Sequence, residues 1–187
     1  LSDRKRWAAQ RLILGFEGVA PSPEFRRFVR DAPPAGFILF SRNIEEPAQV
    51  LELNRELSAM VPDHSPALLT VDQEGGRVSR LRLIGSEPPS AQQLRKKDDT
   101  KLIKTHGTLT GKILRQFGFN LDLCPVLDVS YDDEADNSLK GRCWGTDTQE
   151  VISKAGVFNR AMRKEGILSC GKHFPGYSPA ECDPHEA

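Results

Sequence analysis

Apolar residues along this chain fall into two alternating patterns. Short unbroken runs occur at Leu12-Ile13-Leu14-Gly15-Phe16, Gly36-Phe37-Ile38-Leu39-Phe40, Ala67-Leu68-Leu69-Thr70-Val71, Leu121 through Asp128, and Ile167-Leu168-Ser169-Cys170. Runs without polar alternation suit strands buried on both faces. The stretch from Leu121 to Asp128 is long enough for one strand or a strand pair. Between the runs, apolar residues recur at helical spacing. Ser22-Pro23 supplies a cap and a first-turn proline for a helix with Phe25, Phe28 and Val29 on its inner face. Pro47 opens a second helix, with Val50, Leu53, Leu57 and Met60 inward. A long loop is expected from Asp72 through Pro88-Pro89. Leu102, His106, Leu109, Ile113 and Phe117 then mark the face of a third helix, stopped by Gly118. Thr146, with Gln149 in capping-box position, is expected to start a fourth. Its buried stripe is Val151, Ala155, Phe158 and Met162, and Gly166 ends it.

Strand and helix in alternation predict a parallel sheet covered by helices. Polar residues gather just after the strands: Ser41-Arg42-Asn43, Asp72-Gln73-Glu74, Asp128 and Lys172-His173. That edge carries the active site in an α/β barrel, and also in a doubly wound sheet. The first strand leads into Gly15-Phe16-Glu17-Gly18, which lacks the glycine spacing of a dinucleotide site, so a (β/α)8 TIM barrel is favoured. Five strands are too few to close an eight-stranded barrel. Residues 1–187 are therefore expected to be the N-terminal portion of a longer barrel domain, about its first five β/α units.

Composition narrows the function classes. A 28% charged, 38% hydrophobic chain with a formal net charge of zero has the balance of a globular protein, without bulk attraction for nucleic acid or membrane. No apolar run approaches the roughly 20 residues of a membrane span. The four cysteines show no zinc-ribbon spacing. Cys124 and Cys170 lie in apolar runs and read as small core residues. A reducing cytoplasm is the expected compartment.

Candidate chemistry lies in the loops. Asp72 leaves a buried strand and meets Gly75-Gly76 at once; it can accept hydrogen bonds from substrate hydroxyls, or join Arg77 and Arg80 in a loop-shaping network. Arg142 taken alone is a surface arginine, and Asp128 a cap or loop ion-pair partner. His106 reads as a core or boundary histidine and His64 as an exposed turn residue. The closing segment is richer: Lys172-His173-Phe174-Pro175-Gly176, then Asp183-Pro184-His185. In an extended segment Asp183 and His185 point the same way, and Pro184 disfavours a helix there. A carboxylate beside an imidazole sets its tautomer and raises its basicity, which suits an acid/base group near neutral pH. A structural Asp–His contact, or a metal site from His173, Asp183, His185 and Cys182, fits the same residues, although no standard metal spacing is present.

Together these motifs resemble glycoside hydrolase family 3, in its bacterial β-N-acetylglucosaminidase branch. The resemblance rests on Gly36 through Phe40, Asp72 through Arg80, Asn120-Leu121-Asp122-Leu123, Pro125-Val126-Leu127-Asp128, Lys172 through Gly176, and Asp183 with His185. It spans nearly the whole chain. It implies a (β/α)8 barrel that hydrolyses terminal non-reducing β-linked sugars with retention, without a dissociable cofactor or metal. It further implies that His185 is the acid/base, oriented by Asp183, and that Asp72, Arg80, Arg142, Lys172 and His173 bind the sugar. The expected partner is a small carbohydrate, an N-acetylglucosaminide or muropeptide, handled by a monomeric full-length protein. Tyr177-Ser178 and Pro184 depart from the family's His-Gly and serine at these positions. The family's nucleophile is an aspartate after strand six, so residues 1–187 alone are expected to be inactive. A β-glucosidase of the same family and a non-catalytic sugar-binding remnant are the alternatives; the Asp183/His185 pair speaks against the first.

Overall fold

The protein is described by a computed structural model that covers residues 3–62 and 66–176. His64, Tyr177, Ser178, Cys182, Asp183, Pro184 and His185 lie outside the described residues. The elements in chain order are α1 (Asp3–Ala9), β1 (Ile13–Leu14), α2 (Pro23–Asp31), β2 (Gly36–Leu39), α3 (Pro47–Ala59) and β3 (Leu68–Val71). They continue with a hairpin of β4 (Gln73–Gly75) and β5 (Val78–Ser79), then α4 (Ala91–Lys97), α5 (Thr100–Gln116), β6 (Leu121–Asp122), α6 (Thr148–Lys164) and β7 (Leu168–Ser169).

The main sheet has five strands in the order β1-β2-β3-β6-β7, and every neighbouring pair is parallel. Each new strand joins the edge left by the previous one. A doubly wound sheet reverses direction partway, whereas a barrel wall does not. The order therefore supports the barrel reading over its alternative. Phe37, Leu39, Leu69 and Val71 are buried, as continuous apolar strands require.

Helix ends and faces follow local chemistry, with several departures from the sequence pattern. In α2 the Ser22 hydroxyl accepts from the Phe25 N–H at 3.1 Å and Pro23 begins the helix, as expected. Val29 is buried and Phe25 packs on the core, but Phe28 is exposed. Asp147, not Thr146, caps α6. It accepts from the Glu150 N–H at 2.9 Å, and Glu150, not Gln149, returns a bond to the Thr146 N–H. The α6 stripe of Val151, Ala155, Phe158 and Met162 is buried as expected.

The inner face of α5 is corrected. Leu109 and Ile113 are exposed, while Ile103, His106, Gly107, Thr110, Gly111 and Leu114 are buried. The cause is α6. A Cβ on Gly107 would meet the Phe158 carbonyl oxygen at 2.5 Å, and one on Gly111 the Met162 carbonyl oxygen at 2.8 Å. Two glycines one turn apart thus let the helix backbones touch, which a stripe of large apolar residues would prevent. The close seam offsets the cost of glycine inside a helix, about 1 kcal/mol each.

Three elements were not legible in the pattern. α1 is short and mostly polar. The β4–β5 hairpin and α4, with its Ser90/Gln93 capping box, occupy what reads as one long loop. The run from Leu121 to Asp128 forms a strand only at Leu121–Asp122, followed by an isolated bridge between Val126 and Lys172. Cys124 and Cys143 are buried, but Cys170, which the sequence pattern read as a core residue, is exposed. No described helix is long and apolar enough to cross a membrane.

Candidate active site

Four segments meet at the carboxyl ends of the strands. Asp72 follows β3 directly. Glu74 lies in β4, whose turn into β5 needs Gly75 and Gly76, both at positive φ (103° and 53°). Asp128 and Arg142 belong to the long segment between β6 and α6. Lys172 and His173 follow β7. Thus Asp72, Arg80, Arg142, Lys172 and His173, separated widely along the chain, are brought together. Asp183 and His185 lie outside the described residues.

The centre of the cluster is a chain of ion pairs. Lys172 Nζ lies 2.7 Å from Asp72 Oδ1 and 2.6 Å from Glu74 Oε1. Arg142 grips Glu74 with both prongs, Nε to Oε2 and Nη2 to Oε1, each at 2.8 Å. Such a bidentate pair fixes the guanidinium plane. Arg80 Nη2 reaches Asp72 Oδ2 at 3.3 Å, and its guanidinium stands 5.9 Å from the Phe40 ring. The sequence offered Asp72 two roles, a hydroxyl acceptor or a network member. It is a network member facing the strand ends, which leaves the first role open to it. Arg77 reaches outward to the carbonyl oxygens of Asn137 and Ser138 and ties the hairpin to the Arg142 segment.

A second link runs through His173. Its Nδ1 lies 2.6 Å from Asp128 Oδ2, and its backbone N–H donates to the same oxygen at 3.0 Å. Arg142 Nη2 is 3.3 Å from His173 Nε2. An arginine can only donate, so Nε2 is the acceptor and Nδ1 carries the proton given to Asp128. Asp128, which the sequence suggested as a cap or loop ion-pair partner, is the buried carboxylate that orients this ring.

Electrostatics follow the geometry. Burial alone would raise the Asp72 pKa, but the Lys172 ammonium and the Arg80 guanidinium outweigh it and hold the carboxyl below its ordinary value. Burial likewise works against the Lys172 charge, yet Glu74 and Asp72 reverse the balance and raise its pKa. Both groups are charged at neutral pH. Behind them, burial lowers His106 to about 4, opposed by its bond to the Glu74 backbone. His106 stacks against Phe158 with ring centroids 5.3 Å apart and is a neutral core residue, as expected.

The arrangement presents fixed, charge-assisted donors and acceptors around one spot. Two of the three Lys172 N–H groups are directed at Asp72 and Glu74 among the described residues, leaving one for a ligand oxygen. Such a set suits a ligand rich in hydroxyl groups. Among the described residues, no group of three or more His, Cys, Asp or Glu side chains is arranged to hold a metal ion. Sequence reasoning missed Glu74 and Asp128 as site residues. Their one signal was position, each within a few residues of a strand end.

Comparisons with known proteins place the chain in a family and match its fold. The Glycosyl hydrolase family 3 N terminal domain matches residues 10–187. The chain is 37% identical over 177 residues to a beta-hexosaminidase of Pseudomonas aeruginosa, covering 94% of this chain and 52% of that protein. It is 34% identical over 175 residues to a beta-hexosaminidase of Vibrio cholerae, covering 93% and 52%. Among solved structures, a glycoside hydrolase family 3 beta-N-acetylglucosaminidase from Paenibacillus sp. str. FPU-7 superposes with a TM-score of 0.83 at 30% identity, covering 93% of this chain and 33% of that one. The chain spans about half the length of the curated relatives it matches.

Proposed function

The chain belongs to glycosyl hydrolase family 3, and from that premise we propose that it forms the N-terminal part of a barrel domain that removes terminal, non-reducing β-linked N-acetylglucosamine with retention. The observation that carries this reading is the convergence of Asp72, Glu74, Arg80, Arg142, Lys172 and His173 at one strand edge. Asp72 accepts from ring hydroxyls, while Arg80, Arg142, Lys172 and His173 reach oxygens around the ring. A sugar held at several points is positioned for attack, and its binding energy serves the reaction.

His185 is the acid/base in this proposal. It protonates the leaving oxygen and later takes a proton from water, with Asp183 holding its ring. The attacking carboxylate, which retaining hydrolysis requires on the opposite side of the bond, comes from a strand outside residues 1–187, and these residues alone are inactive. The names of the relatives support N-acetylglucosaminides as the substrate class. The resemblance supports muropeptides of cell-wall recycling, met in the cytoplasm, as the source.

The test sets an aryl β-N-acetylglucosaminide beside an aryl β-glucoside, using the longest polypeptide that the gene encodes. Hydrolysis of the first, with the β-anomer released first and with turnover lost in His185→Ala, is the expected result. Turnover of the glucoside alone, or undiminished turnover in His185→Ala, overturns the reading.

A further inference from the structure

Beneath the ion-pair chain lies a carboxylate with no role in it. Asp122 ends β6 and is 0% exposed. Its Oδ1 accepts the Gln73 backbone N–H at 2.9 Å. Its Oδ2 is also buried and has no N–H or O–H donor among the described residues. A carboxyl is an expensive acceptor in such a place, since an unpaired buried charge costs several kcal/mol. What it holds is Gln73, the residue between Asp72 and Glu74.

Gln73 is itself a junction. Its side-chain Nε2 donates to Ser79 Oγ at 2.7 Å, and its Oε1 accepts the Leu81 N–H at 3.1 Å. Ser79 and Leu81 flank Arg80. One buried residue therefore carries Asp72 and Glu74 on its two sides and grips both neighbours of Arg80. Its own backbone N–H is anchored by Asp122. We propose that Asp122 is a positioning residue for the sugar site, which acts through Gln73 to set the spacing of Asp72, Glu74 and Arg80 that Lys172 and Arg142 require. The inference rests on the sugar-site reading above and deepens it.

The surroundings of Asp122 indicate which variant preserves the clamp. Burial pushes its pKa up to about 7, against the Gln73 N–H, the Cys124 thiol on its own segment and the Lys172 ammonium from beyond β7; Asp72 at the end of β3 adds to the rise. Near that pH the group is shared between its charged and neutral forms. Oδ1 remains an acceptor for Gln73 in both states. An asparagine offers the same acceptor without the charge, whereas an alanine offers none.

The experiment uses the longest polypeptide that the gene encodes, with an aryl β-N-acetylglucosaminide as substrate. Asp122→Ala is expected to raise KM about tenfold with kcat within about threefold, the loss of one buried hydrogen bond behind the binding groups. Asp122→Asn is expected to keep KM within about twofold of the parent. Amide exchange at Gln73 is the second measurement. It should stay slow in the parent and in Asp122→Asn and become fast in Asp122→Ala, while Thr70 and Val71 remain slow. A KM in Asp122→Asn as high as in Asp122→Ala overturns the proposal, and so does an unchanged KM in Asp122→Ala. If Asp122→Ala does not fold, a rise of more than about fivefold in the KM of Asp122→Asn overturns it. If the parent turns over no N-acetylglucosaminide, the sugar-site reading falls by itself. Gln73 exchange then decides the clamp, and equal protection in parent and Asp122→Ala overturns it.

Discussion

Glu74 is the acceptor shared by two cations from distant parts of the chain, and its removal gives the sharpest test of how the site is built. Glu74→Ala deletes both hydrogen bonds from Arg142 and the ion pair to Lys172. The side chains left behind are 11% and 17% exposed, so water replaces the lost acceptor poorly. Removing one partner of a buried pair costs about 3–5 kcal/mol, mostly the penalty of the charge left unpaired. Here each cation keeps other partners. Lys172 retains Asp72 at 2.7 Å, and Arg142 retains the Ser138 carbonyl at 2.9 Å together with His173. The expected loss is therefore at the low end, about 3 kcal/mol. For a domain of this size that lowers Tm by roughly 6–12 °C. Urea unfolding followed by circular dichroism measures it, with an unchanged m-value marking a true stability loss. In a double-mutant cycle, Glu74→Ala with Arg142→Ala should cost less than the sum of the single changes by about 2 kcal/mol. A loss below about 1 kcal/mol, the worth of an exposed ion pair, would refute the view that Glu74 is the hub.

Two further outcomes follow from the structure. Asp122 has its folded pKa raised to about 7 from an ordinary 3.8, so the folded state holds the extra proton between those values. Its stabilising contribution is then full in acid and is lost as pH rises from about 4 through 7. Asp122→Asn removes this dependence, so its stability gain over the parent should grow across that window by roughly 4 kcal/mol. A Tm difference between the two that stays flat from about pH 4 to 8 contradicts the assignment. At the α5–α6 seam, Gly107→Val places side-chain atoms against the Phe158 carbonyl, where even a Cβ would stand at 2.5 Å. The expected loss is about 3 kcal/mol or more by thermal melting. Leu109→Ala on the exposed face of the same helix should cost less than about 0.5 kcal/mol, and equal losses would mean that the seam is placed wrongly.

Much of the fold was legible because its signals are local. An unbroken apolar run such as Gly36 through Phe40 marks a buried strand by itself, and Ser22-Pro23 marks a helix start by itself. The succession of these signals implied parallel strands, and the barrel reading followed from the absence of a glycine fingerprint. Signals failed where the deciding contact lay elsewhere. Apolar spacing pointed to Leu109 and Ile113, yet the touching face of α5 is lined by Gly107 and Gly111, whose value depends on a partner helix. Asp147 and Thr146 are equivalent as residue types for a cap, and only the backbone path chose between them.

The site divides in the same way. By itself the sequence placed Asp72, Glu74, Asp128, Lys172 and His173 just after strands, and only the family resemblance added Arg80 and Arg142. The tertiary structure alone decided their pairing. Lys172 and Asp72 are 100 residues apart in the chain, Arg142 and Glu74 are 68 apart, and His173 and Asp128 are 45 apart. Asp128 changed from a loop acid to the partner of an imidazole, and Glu74 from an undistinguished neighbour to a hub. The physical reason is range. Propensity, capping and periodicity act over a few residues. Ion pairs between segments depend on strand order and register, which only the assembled sheet supplies.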